Sequence, residues 1–323
     1  MPNETRDDLS ALSSKSWSRM TAEQKRDLRL RKWRHPEVGF VSHAAEEDYH
    51  TRVDRLIAAI SLYKPDRVPV RLNMGAWPAR AAGMTPYDMM TDPQAARQAW
   101  IAFHSTYQPD AISSPTNYAI PASMLEALDY RLYSWPGHGV ARDSGYQYLE
   151  KEWMLADEYD HLISDPTDYL VRVYLPRSVG AFSGFRSLSS FFDFVELPFI
   201  SGHIPGWDLP DMLSGLQRIA VAAKTMADWR DDVFSLNTEL NSLGFPSFVG
   251  SATKAPFDIL GDTLRGTKGV LTDMLRRPDK VLAACDRLVQ VAIDWAVKRP
   301  EIPQSPLVSI PLHKGADAFM SDE

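Results

Sequence analysis

Apolar positions in this chain follow two different periods. Val53, Leu56, Ile57 and Ile60 recur at i, i+3, i+4 and i+7, the stripe of a helix packed on a core. Pro65 ends that run, because a residue before proline is pushed out of the helical region. The stretch that follows, Lys64-Pro65-Asp66-Arg67-Val68-Pro69-Val70-Arg71-Leu72, changes to period two. It predicts a first inner strand, with Pro69 near its start because proline cannot donate to a ladder. Three more short apolar runs carry the same reading: Pro109–Ser113, Gly244–Gly250 and Leu307–Leu312.

Helices are predicted between these runs. Thr21-Ala-Glu-Gln24 is a capping box, opening a basic helix with Lys25, Arg26, Arg29, Arg31, Lys32 and Arg34. That face reads as a solvated helix docked on the body, with an anionic-ligand site as the alternative. Thr85-Pro86 starts a short helix, and Asp92-Pro93 starts one running to Tyr107. Asp165-Pro166 starts another. Leu209-Pro210 leads into a helix with Leu213, Leu216, Ile219, Ala220 and Ala223 on one side. Pro278 opens a long helix with Val281, Leu282, Cys285, Leu288, Val289, Ala292 and Ala296 inward. Tyr146–Trp153 reads as an exposed hairpin strand. Phe191–Trp207 is an aromatic region that either packs under a loop or forms a substrate lid.

Strands alternating with helices, each strand followed by a polar loop, predict βα repeats. The expected fold is an α/β (β/α)8 TIM-type barrel, cut off about halfway round. Residues 1–50 are expected to form a polar, helical N-terminal extension, and 119–244 an irregular insertion in the barrel of 51–323. The closing Ser321-Asp322-Glu323 reads as a helix start rather than a domain end. Half a barrel would leave strand edges and apolar faces uncovered, so pairing with a missing carboxyl half or homo-oligomerisation is expected.

Composition narrows the partners. The 323 residues are 44% hydrophobic and 24% charged, with a net charge of -7, which argues against nucleic acid. No apolar run is long enough to span a bilayer, and the polar N-terminus is no signal peptide. One cysteine, Cys285, excludes an intrachain disulfide and fits a reducing cytoplasm. Nine Trp and 23 Pro suggest rigid loops and aromatic pockets for a small-molecule substrate.

Loops at the carboxyl ends of barrel strands carry the chemistry in such folds. His313, with Lys314 and Asp317 beside it, is therefore the candidate catalytic residue, as ligand, acid/base or hydrogen-bond donor. A structural histidine at a strand end is the alternative. Asn73, Trp77, Thr116, Asn117, Tyr118, Ser251 and Lys254 occupy the equivalent exits and are candidate substrate-binding residues. His138, between two glycines, reads as a turn residue, and His104 as packing within a helix.

Several of these stretches resemble the uroporphyrinogen decarboxylase superfamily. They are Arg55 to Val70 ending in Pro65-Asp-Arg-Val-Pro-Val70, Gly83-Met-Thr-Pro-Tyr87, Pro109-Asp-Ala-Ile112, Gly250–Phe257, and the closing segment from Pro311 to Glu323. The similarity covers roughly residue 46 to the end. It implies either decarboxylation in porphyrin biosynthesis, or methyl transfer from methanol, methylamines or aryl methyl ethers to a cobamide on a partner corrinoid protein. The decarboxylases place an Arg-rich loop after the first strand and an Asp after the second. Here the first loop, Asn73–Arg80, has only Arg80, and the second, Ser113–Asn117, has no acid. The resemblance therefore points to the methyltransferase/O-demethylase type. The zinc site of those enzymes is His-x-Cys plus a distant Cys, and this chain has no His-x-Cys. No cofactor is expected in this chain itself, with Zn and a cobamide belonging to the complete system. A non-catalytic half-barrel binding protein is the remaining alternative.

Overall fold

The computed structural model describes residues 19–72, 74–113, 115, 119–297 and 305–314. Among these the chain is predominantly helical, with five strands of two to four residues in two small sheets. It is not a (β/α)8 barrel cut off halfway. Of the four expected strands, the first contributes none, the second and third share only an isolated parallel bridge, Ile112 with Ser247, and the fourth shrinks to Val308–Ser309. Each run contains or adjoins proline: Pro69, Pro109, Pro246, and Pro306 with Pro311. A proline removes one ladder donor and fixes its own φ, so runs this short cannot propagate a ladder. Single backbone bonds remain, Asp110 N–H to Val70 O at 2.8 Å, Ile112 N–H to Pro246 O at 2.8 Å and Gly250 N–H to Leu307 O at 2.9 Å.

The principal helices are α1 (Ala22–Arg34), α2 (His43–Ile60), α3 (Pro93–Tyr107), α4 (Pro210–Ser242), α5 (Gly266–Arg276) and α6 (Pro278–Val297). The capping box of α1 forms as its sequence predicts: Thr21 accepts from Gln24 N–H, and the Gln24 side chain accepts from Thr21 N–H. The basic helix docks through Leu28 and Trp33. Trp33 is fully buried and its indole N–H donates to Ser247 O at 2.9 Å. The Asp92-Pro93 start of α3 and its end at Tyr107 also follow the sequence, with Asp92 accepting from Ala95 N–H.

Two predicted helix faces are corrected. In α4 the buried residues include Met212, Gly215 and Ala222, whereas Leu213 and Leu216 are exposed. The cause is close backbone contact: a Cβ on Gly215 would lie 2.2 Å from Ala181 O, and one on Gly184 2.7 Å from Met212 N. Gly215 and Ala222 therefore share the packed face with Met212, Leu236 and Leu240, and Leu213 and Leu216 lie off it. In α6, Val281, Ala284, Leu288 and Ala292 are buried, Cys285 is half-buried, and Leu282 and Val289 face outward. The expected strand at Tyr146–Trp153 is reduced to Gln147–Tyr148.

The motif Pro65-Asp-Arg-Val-Pro-Val70 is organised by charge as much as by hydrophobicity. The buried Asp110 side chain accepts from Arg55 Nη1 at 2.6 Å, from Arg67 Nη1 and Nη2 at 2.7 Å each, and from Val70 N–H at 2.6 Å. Arg55 is held on its other side by Asp66. Asp110 thus ties α2, the extended 66–70 segment and the 109–113 segment together. Beneath them lies a cluster of Trp33, Tyr49, Val53, Leu56, Ile57 and Ala111. Each large side chain removed from water there contributes about 1.5–3 kcal/mol.

The sheets are β2–β1–β3, made of β1 (Tyr133–Pro136), β2 (Gly139–Val140) and β3 (Gln147–Tyr148), and the parallel pair β4 (Ser251–Ala252) and β5 (Val308–Ser309). In the pair Ser251 faces Val308 and Ala252 faces Ser309. No described helix is long and apolar enough to cross a membrane.

Candidate functional site

Because β4 and β5 run parallel, their exits leave from the same end. The β4 exit carries Lys254 and the β5 exit carries His313. Ser251 Oγ donates to Ala296 O at 2.9 Å and Thr253 Oγ1 to Ala292 O, fixing the β4 side on α6. The β5 side is fixed by a buried carboxylate: Asp258 accepts from His313 N–H at 3.1 Å and from Lys314 N–H at 2.5 Å. Gly261 lets this segment approach, since a Cβ there would already sit 3.2 Å from Lys314 Cγ.

Asp258 ends the helical turn Pro256–Asp258, and the chain continues as a π-helix over Ile259–Leu264. π-turns are rare and concentrate at functional sites. Asp262, in that turn, receives both exits. His313 Nδ1 lies 2.6 Å from Asp262 Oδ2, and Lys254 Nζ lies 2.7 Å from the same oxygen. Asp262 and Lys254 are largely buried, while the His313 ring is 57% exposed. Nε2 of His313 has no partner among the described residues. A ring anchored through Nδ1 presents Nε2 for proton transfer, the role of a histidine held by a carboxylate.

A wall of phenols adjoins this group. Tyr133 lies 5.2 Å from Tyr148, 5.5 Å from Tyr146 and 6.1 Å, stacked, from Tyr130. Burial, and after it the charge of Asp262, pushes the Tyr133 phenol above its ordinary value. Tyr148 is raised by burial first, then by Tyr133, Glu150 and Asp262. Both therefore stay protonated donors at neutral pH. The Tyr148 hydroxyl is buried without a hydrogen-bond partner among the described residues. Tyr174 Oη donates to Thr263 O at 2.5 Å, pinning the same π-helix from the other side. Glu150 completes the edge, its carboxyl held below the ordinary value by hydrogen bonds from Thr267.

Of the sequence candidates, His313 and Lys254 meet at one carboxylate. Lys314 adjoins them through its backbone bond to Asp258. Ser251 is buried and anchors β4 rather than facing a ligand. Trp77 is exposed at the start of the short helix Trp77–Ala81. Asn73, Thr116, Asn117, Tyr118 and Asp317 lie outside the described residues. His104 is buried, with Nδ1 2.7 Å from Trp100 O, and His138 stacks on Trp135 in its turn, as their sequence settings suggest. Asp258, Asp262 and the tyrosines are not legible as site residues in the sequence. The one available signal is a pair of carboxylates four apart directly after Pro256-Phe257.

No group of three His, Cys, Asp or Glu side chains among the described residues could hold a metal ion. Compared with known proteins, the chain matches no family model, no curated protein and no solved structure.

Proposed function

We propose that the chain is an enzyme whose proton chemistry is centred on His313, Asp262 and Lys254, and that it removes a methyl group from a small methylated ligand. The observation that carries this reading is their convergence at the exits of two parallel strands. The two segments that supply it, Gly250–Phe257 and Pro311–Lys314, are among those that resemble the uroporphyrinogen decarboxylase superfamily. The tyrosine wall favours an aryl methyl ether over methanol or a methylamine, because ring stacking adds to area burial.

In this reading the aryl ring rests on the half-buried rings of Tyr133 and Tyr148. Asp262 orients the His313 ring, and His313 Nε2 delivers a proton to the phenolate as the C–O bond breaks. Lys254 offsets the Asp262 charge, so the ring is held without leaving a lone buried carboxylate. The methyl acceptor is a cobamide presented by a partner corrinoid protein. The products are a phenol and a methylated acceptor, with one proton consumed.

Uroporphyrinogen decarboxylation is the disfavoured alternative. Even Arg80, the single cation of the Asn73–Arg80 loop, donates to Asp143 O at 2.6 Å. A tetrapyrrole with eight carboxylates would lack its counter-charges. The test incubates the protein with methanol, methylamines, aryl methyl ethers or uroporphyrinogen, adding reduced cobalamin as acceptor in the methyl-donor arms. Phenol release with methylcobalamin formation is expected from the ethers alone. Coproporphyrinogen formation, or no turnover in any arm, would overturn the proposal.

A further inference from the structure

A second charged concavity lies away from this site. Asp165-Pro166 opens a helical turn at Pro166–Tyr169, which passes into a π-turn over Leu170–Tyr174. Leu175 N–H there donates to Leu170 O, five residues back. In a regular α-helix Arg172 and Arg177 would point about 140° apart. The i→i+5 turn narrows that angle, and both arginine side chains border one concavity. The 3-10 segment Gly180–Ser187 folds back and adds Arg186. Arg172, Val173, Arg177 and Arg186 line a cavity of about 290 Å³.

Two of the three arginines are held from behind. Arg172 donates from Nε to Asp168 and from Nη2 to Ser189 O at 2.8 Å. Asp168 is itself 2.8 Å from His161 Nε2. Arg177 donates to both oxygens of Glu158 and to Trp153 O at 3.0 Å. These bonds leave Arg172 Nη1 and Arg177 Nε without a partner among the described residues. Arg186 has none there for any of its donors. Asp168 and Glu158 pair with two of the three arginines and Asp157 acts on Arg177 from farther off, so Arg186 is the arginine without an ion-pair partner among the described residues. Arginine forks match the spacing of oxygens on phosphate and carboxylate groups.

We infer that this cavity binds a small molecule carrying a phosphate or carboxylate group. Arg172 and Arg177 form a fixed cradle, and Arg186 closes on the ligand from the neighbouring segment. Val173 lies against the apolar part of the ligand. The site is independent of the methyl-transfer reading, since it shares no residue with His313, Asp262 or Lys254.

The test is isothermal titration of the purified protein with inorganic phosphate and, separately, with tricarballylate, at one fixed ionic strength. Saturable binding of at least one probe is expected, and the tighter one identifies the ligand's acid group. Arg186→Gln should weaken that probe about tenfold or more, and Arg186→Lys by less. Because Arg186 is exposed and has no partner among the described residues, thermal melting of both variants should match the unmodified protein. Absence of saturable binding by either probe would overturn the inference. So would unchanged affinity in Arg186→Gln.

Discussion

Removing the Asp110 carboxylate gives the sharpest stability prediction. Asp110→Ala deletes four hydrogen bonds at once, three of them from arginines. Breaking a buried ion pair by removing one partner costs about 3–5 kcal/mol, because the remaining charge is left without compensation. Two features place this case at the low end. The Arg67 side chain is 49% exposed and can turn to water, and Arg55 keeps its bonds to Asp66. The loss of the Val70 N–H acceptor adds about 1 kcal/mol or more for an unsatisfied donor. The expected cost is therefore about 3–4 kcal/mol. Urea unfolding followed by circular dichroism measures it as a lower midpoint with unchanged slope. Asp110→Asn should cost less, since its amide oxygen can still accept from Val70 N–H. Asp66→Ala should cost less than Asp110→Ala, because Asp66 is the outer partner. A loss below about 1 kcal/mol for Asp110→Ala would show that these charges are not what joins α2 to the two extended segments.

Three further outcomes are expected. Gly215→Ala should destabilise by about 1–3 kcal/mol through overpacking against Ala181 O, and a neutral effect in urea melts would refute the close approach. Acid should destabilise the fold through Glu158. Burial alone pushes that carboxyl up, but bonds from Arg177, Leu155 N–H and Tyr169 outweigh burial and hold it below its ordinary 4.5. A depressed carboxyl contributes stability that is complete above 4.5 and disappears as the pH falls through the lower folded value. The melting temperature should therefore fall below about pH 4.5, and Glu158→Gln should flatten part of that slope; an unchanged slope would contradict it. Burial and the neighbouring Asp286 push the Cys285 thiol up to about 11, so alkylation should stay slow at about pH 8 and accelerate near pH 11. Rapid labelling at the lower pH would refute that environment.

Local structure is legible wherever one residue's chemistry decides it. Thr21, Thr85, Asp92 and Asp165 cap helices because their side chains reach the first free N–H groups, a short-range effect the sequence displays directly. Long-range arrangement is less visible. The apolar runs at 68–72, 109–113 and 244–250 suggest barrel strands, yet their prolines stop the ladders. The packed face of α4 differs from the expected one because close approach there selects Gly215, which a pattern of large apolar residues overlooks, whereas α6 buries the expected Val281, Leu288 and Ala292 and turns Leu282 and Val289 outward. At the site, His313 and Lys254 can be picked out as strand-exit residues. Asp262 cannot. Its place depends on a π-turn and on the pairing of Ser251 with Val308, and periodicity shows neither.

The central claim, that His313 acts on a ligand and is not merely a strand-end residue, is tested most directly by comparing activity with stability in one variant. In His313→Ala, aryl methyl ether demethylation should fall by about two orders of magnitude or more, as for loss of a general acid. Its melting temperature should stay near that of the unmodified protein, because the ring is exposed and the backbone bond to Asp258 remains. Equal losses of activity and stability, or full activity in the variant, would contradict the claim.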